Sequence, residues 1–134
     1  MPFTDVPAFY RKVIARPSPS MQALGFTILT AARSGETTGA KWSEIEEEGR
    51  LWRVPTLRMK GKREHVVPLG NQAWAIVDHM RGRSDEYVFP GARAETLSAM
   101  ALAMALRRAG GGDFRTHGFR SSFRDWCGDA TSFQ

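Results

Sequence analysis

The 134 residues predict a mainly helical α+β domain, and three observations carry that expectation. Apolar residues recur at helical spacing before residue 33 and again after residue 70. Between them, residues 50 to 69 switch to β-branched and aromatic residues around a basic turn, the pattern of a small antiparallel hairpin. No repeat, low-complexity segment or domain linker interrupts the chain, and with 42% hydrophobic and 25% charged residues it has length for one small core and little room for two.

The elements follow in order. "DVPAFYRKVIAR", residues 5 to 16, sets Val6, Phe9, Tyr10, Val13 and Ile14 at helical spacing and stops before the loop "PSPS". Residues 20 to 32 carry Leu24, Phe26, Ile28 and Leu29, apolar enough for a buried helix. The acidic run "EIEEEG" leads into "RLWRVP", and "EHVVPLG" returns after the basic turn as the second hairpin arm. "NQAWAIVDHM" reads as an amphipathic helix, "YVF" as a short third strand, and "ETLSAMALAMALRRAG" as a helix apolar nearly all round, stopped by Gly110 to Gly112. In the last helix, "THGFRSSFRDW", His117, Arg120 and Arg124 fall on one side and Phe119, Phe123 and Trp126 roughly opposite. The aromatic side belongs to a core.

A formal charge of +5 and a sequence pI near 10.0 favour a polyanionic partner, of which nucleic acid is the commonest. The single cysteine, Cys127, can form no intrachain disulfide, so a reducing cytoplasm is the expected compartment. No apolar run reaches membrane-spanning length and the N-terminus lacks the pattern of a signal peptide, so no membrane partner is expected.

Three clusters hold the residues able to do chemistry. In "AARSGETTGAKW", Arg33 follows the buried helix and Glu36 comes three residues later. Two readings are open: an arginine interacting with a helix dipole beside a glutamate capping the next helix, or a cation and its acidic companion in a site. In "LRMKGKREHVVPL", Arg58, Lys60, Lys62 and Arg63 crowd the hairpin tip, where they repel one another unless an anion is near. A lysine there can reach a phosphate as a point charge or proton donor. The third cluster is "THGFR". Together they supply what a metal-free phosphoryl transfer needs to neutralise charge on non-bridging oxygens, with no cofactor.

The set "AARSGE … RMKGKREHVVPL … HGFRSSFRDW" resembles the catalytic domain of the tyrosine recombinases, the phage integrase family, and most of all the prophage integrase subgroup. The resemblance covers essentially the whole chain. It implies that family's catalytic-domain fold, mainly helical with a small antiparallel hairpin or three-stranded sheet. Arg33 would hold a non-bridging oxygen of the scissile phosphate, with Glu36 as the acidic residue supporting the site's hydrogen bonds. Lys60 would be the general acid toward the leaving 5′ oxygen, Lys62 and Arg63 being further candidates. His117 and Arg120 would form the family's His-x-x-Arg pair, the histidine assisting proton transfer and the arginine completing the clamp. Arg58, Lys62, Arg63 and Arg124 are expected to contact DNA, and no metal is required because the guanidinium groups carry the neutralisation. Double-stranded DNA is the implied partner, with the parent assembling as a multimer on it.

One departure stands out. The family's second histidine or tryptophan and its nucleophilic tyrosine come some tens of residues beyond the His-x-x-Arg pair, whereas Tyr10 and Tyr87 both precede it. Residues 1–134 are therefore expected to be a partial catalytic domain, without the DNA-binding domains that precede it in the family or the tyrosine segment. Two other readings compete: a basic DNA-binding module without chemistry, and a metal-dependent nuclease. The nuclease is disfavoured because His65, His79 and His117 are scattered and no acidic cluster has ligand spacing.

Overall fold

The computed structural model describes residues 6–55, 65–91 and 97–109. Two helices open the chain: α1 (Val6–Ile14) and α2 (Pro19–Thr30). Ser18 starts α2, its Oγ accepting from the Met21 N–H at 3.4 Å with Pro19 in the first turn, where a missing N–H costs nothing. The expected buried helix is found. Met21 through Ile28 are all inaccessible, so α2 is the central rod on which α1, α4 (Asn71–His79) and α5 (Ala99–Arg108) pack. At Gly25 both α1 and α4 come close: a Cβ there would lie 3.0 Å from Ile14, 3.4 Å from Ile76 and 3.5 Å from Tyr10. Gln22, buried in α2, donates to the carbonyls of Ile14 and Arg16 at 3.2 and 2.8 Å, satisfying groups that the end of α1 leaves open.

After the short helix α3 (Ser34–Thr38) and a 3₁₀ turn at Trp42–Glu44, a three-stranded antiparallel sheet forms in the order β1 (Ile45–Glu46), β2 (Leu51–Val54), β3 (His65–Pro68). The expected hairpin is β2–β3, with Trp52 opposite Val67 and Val54 opposite His65. Trp52 and Val54 face the core, where the Phe26 ring lies 5.1 Å from Trp52 and 5.3 Å from Phe89, tilted at 59° and 56°.

Two expectations need correction. The third strand is not "YVF" but Ile45–Glu46. A tight turn brings those residues back onto β2 with little loop to close, and Arg50 adopts a left-handed conformation (φ 51°) to make it. Tyr87 makes only an isolated bridge to Lys41, while Val88 and Phe89 are fully buried. The second correction concerns α5, which is one-sided rather than apolar all round. Leu102, Ala105, Leu106 and Ala109 form its inner stripe, whereas Met100 and Met104 are 72% and 43% exposed. It begins later than residue 95, at Ala99, because Ser98 caps it by accepting from the Ala101 N–H at 3.1 Å. Among the described residues, no helix is long and apolar enough to cross a membrane.

Candidate active site

Arg33 and Glu36 are the two expected site residues within the described structure, and it places them together. Ala31, the residue after α2, takes a left-handed conformation (φ 55°, ψ 28°) that an alanine adopts only at a cost. The chain turns there, Ala32 is buried as an anchor, and Arg33 emerges exposed as the N-cap of α3. Its backbone is held on both sides. Glu36 Oε1 accepts from the Arg33 N–H at 2.8 Å, and the Arg33 carbonyl accepts from Glu36 N and Thr37 N at 3.0 and 3.1 Å.

The glutamate half of the helix-capping reading is therefore correct: Glu36 is the N3 residue that accepts the N-cap N–H, and its carboxylate occupies the first turn, where the dipole favours an anion. The arginine half is weaker. Arg33 stands between the carbonyl end of α2 and the amide end of α3, whose dipoles oppose each other there. Among the described residues, its guanidinium makes no ion pair and no hydrogen bond to a carbonyl of α2. The arrangement fixes a main chain and leaves a cationic fork at the surface, which suits bidentate recognition of a phosphate.

Lys60, His117 and Arg120, with Arg58, Lys62, Arg63 and Arg124, lie outside the described residues. The pairing of β2 with β3 makes the basic stretch the connection of that hairpin. His65 and His79 are exposed on β3 and at the end of α4, and among the described residues no three His, Cys, Asp or Glu side chains group as metal ligands.

A second concave region, of about 450 Å³, is lined by Trp42, Ile45, Glu47, Arg81, Gly82, Ser84 and Asp85. Its arginine is already committed. Arg81 is paired with Asp78 at 2.8 Å and Glu47 at 2.7 Å, carboxylates that hold its charge more firmly than usual, and it lies over the Trp42 and Trp74 rings at 5.3 and 5.7 Å. That arginine staples α4 to the sheet. Thr27 and Thr37, which tie α3 to α2, were not legible from the sequence, because their contact joins two helices across the turn at residues 31–33.

The model of the Phage integrase family matches residues 4–126. The chain belongs to the phage integrase family. It is 37% identical over 128 residues to the prophage integrase IntZ of Escherichia coli K12, covering 92% of this chain and 32% of that relative. It is 32% identical over 152 residues to the integrase of Enterobacteria phage P4, covering 97% of this chain and 34% of that one. The chain thus spans about a third of the length of these relatives. Its fold matches a lambda integrase dimer bound to a COC′ core site, with a TM-score of 0.72 at 19% identity over 98% of this chain and 53% of the other. A lambda integrase tetramer bound to a Holliday junction gives 0.70, again at 19% identity, over 98% of this chain and 43% of that one. The expected mainly helical recombinase fold with a three-stranded sheet is the observed one.

Proposed function

We propose that residues 1–134 are the phosphate-binding part of a site-specific DNA recombinase catalytic domain, whose parent cleaves and rejoins duplex DNA in the cytoplasm through a 3′-phosphotyrosyl intermediate. The observation that carries this reading is Arg33, with its backbone tied at N–H and carbonyl and its guanidinium exposed without an ion pair among the described residues. Family membership and the DNA-bound state of the lambda integrase neighbours support duplex DNA as the partner and a multimer as the assembly. In this reading Arg33 and Arg120 clamp the non-bridging oxygens and Glu36 holds the Arg33 main chain. Lys60 protonates the leaving 5′ oxygen, and His117 assists proton transfer. Four cations around one phosphate supply the charge stabilisation that a metal would otherwise bring. Arg58, Lys62, Arg63 and Arg124 contact neighbouring phosphates.

Neither tyrosine of the sequence suits the nucleophile's role. Tyr10 is packed in the core, and burial pushes its hydroxyl up to about 12, so it stays protonated; Tyr87 lies in the Lys41 bridge with the lysine 5.9 Å from its ring. These residues are therefore expected to bind duplex DNA, with affinity falling steeply in salt, and not to cleave it. The test is incubation with supercoiled plasmid and EDTA, followed by a gel for nicks and a denaturing gel for protein-linked DNA. Covalent adducts formed by these residues alone would show that the nucleophile has been misplaced. Nicking that appears only with added metal would point to a nuclease.

A further inference from the structure

The placement of Arg33 does not end at the glutamate that accepts its N–H. Thr37, in α3, donates its N–H to the Arg33 carbonyl at 3.1 Å, and its hydroxyl lies 3.0 Å from the hydroxyl of Thr27 in the middle of α2. Thr27 Oγ1 in turn lies 2.8 Å from the Ala23 carbonyl. Each hydroxyl has one proton and a carbonyl can only accept. The Thr27 hydroxyl is the donor to both, its one proton shared between the Ala23 carbonyl and Thr37 Oγ1. Both threonines are buried, Thr37 fully. A continuous run of hydrogen bonds thus joins the interior of the central helix to the main chain of Arg33.

We propose that Thr27 and Thr37 are positioning residues for Arg33, their hydroxyl pair setting the orientation of α3 and so the direction in which the guanidinium meets a phosphate. This rests on the reading of Arg33 as a phosphate ligand. A five-residue helix is too short to hold an orientation by itself. Two apolar side chains in place of the threonines would bury as well but could slide, whereas a hydrogen bond between buried hydroxyls has one good geometry. The left-handed Ala31 acts from the other side, since its strain persists only where the surrounding structure over-determines the turn.

The test uses the whole 134-residue chain and a fluorescently labelled DNA duplex, with affinity measured by anisotropy across a salt series. The salt slope reports how many phosphates are neutralised, at about 0.9 per phosphate, and is unchanged by a simple loss of folded protein. Arg33→Ala is expected to reduce the slope by about one phosphate. The double variant Thr27→Val/Thr37→Val, in which both partners of the bond become apolar, should melt close to the parent and still show that same reduction. Thr37→Ala leaves Thr27 bonded to the Ala23 carbonyl and carries the same expectation should the double variant fold poorly. Thr37→Ser should restore the slope. Adding Arg33→Ala to either threonine variant should lower it no further.

A full slope in the well-folded threonine variants would overturn the positioning role while leaving Arg33 a phosphate ligand. A further fall in slope on combining the substitutions would overturn it too, because the threonines would then act elsewhere. An unchanged slope in Arg33→Ala alone would remove the phosphate reading, and the positioning role with it.

Discussion

The same four-residue pattern occurs twice in this chain, eight residues apart, and the two copies do different work. Arg33-x-x-Glu36 and Lys41-x-x-Glu44 each place a basic residue at an N-cap and a glutamate three residues later, and each glutamate accepts the N-cap N–H, at 2.8 and 3.3 Å. In the second copy everything else is committed as well. Glu44 is buried and accepts from the Trp52 indole N–H at 3.1 Å. Lys41 reaches Glu86 at 3.6 Å and lies 5.9 Å from the Tyr87 ring. In the first copy the backbone is equally tied, yet the cation pairs with no described carboxylate. A local motif therefore sets the backbone, and its neighbours decide whether the charge is used internally or offered to a partner.

The largest expected difference between the copies is in activity. In a full-length parent, Arg33→Ala should lower strand cleavage by about 100-fold or more, since it removes charge stabilisation worth on the order of 3 kcal/mol, whereas Lys41→Ala should leave cleavage nearly intact. A plasmid recombination assay with both variants decides it, and equal losses would erase the contrast.

Stability should rank the copies the other way. Glu44→Ala strips a buried indole N–H and an N-cap of their acceptor and is expected to cost about 3 kcal/mol. Glu36→Ala removes the acceptor of the Arg33 N–H from a half-buried position and is expected to cost about 1 kcal/mol. Urea unfolding of the two variants measures both values, and a Glu36 variant as unstable as the Glu44 one would contradict the ranking.

Alkaline pH separates the layer that carries Arg33 from the sheet that carries Glu44's partner. Tyr10 of α1 packs against α2, and its hydroxyl is raised from 10.0 to about 12 by burial. The protonated form is the one the fold favours. Its contribution is therefore fully present below pH 10 and is lost as pH rises toward 12, on the order of 2 kcal/mol. Tyr10→Phe should flatten that part of a stability profile collected from about pH 9 upward, and an unchanged alkaline slope would show that Tyr10 is not the titrating group.

The smallest effect concerns the turn that presents the first copy. Ala31 is left-handed, a conformation that glycine takes without penalty, so Ala31→Gly should raise stability by about 1 kcal/mol or less once the greater freedom of the unfolded chain is subtracted. A clear loss of stability in thermal melts would mean that the Ala31 methyl packs more than its conformation costs.

Much of this fold is legible in the residues alone. α1, α2, α4 and the β2–β3 hairpin follow from periodicities of 3.6 and 2 within single segments, although α2 starts at Pro19, inside the stretch expected to be a loop, because Ser18 caps it. The order of the three basic clusters carried the family resemblance without any fold. Expectations failed where a partner segment decides. Ile45–Glu46 becomes a strand because β2 lies beside it, and α5 is one-sided because only one of its faces meets α2.

Properties that reside in neighbouring residues can be read from the chain without a fold: element types, the pairing of a basic residue with a glutamate three positions on, and net charge. The tertiary structure alone decided that Glu44 is internal while Arg33 faces outward, that Thr37 meets Thr27 from another helix, and that Ala31 bears a left-handed turn. The physical reason is that a side chain's partners are set by packing between elements distant in sequence. Hydrogen bonds and ion pairs form over a few ångströms of space, whatever the separation along the chain.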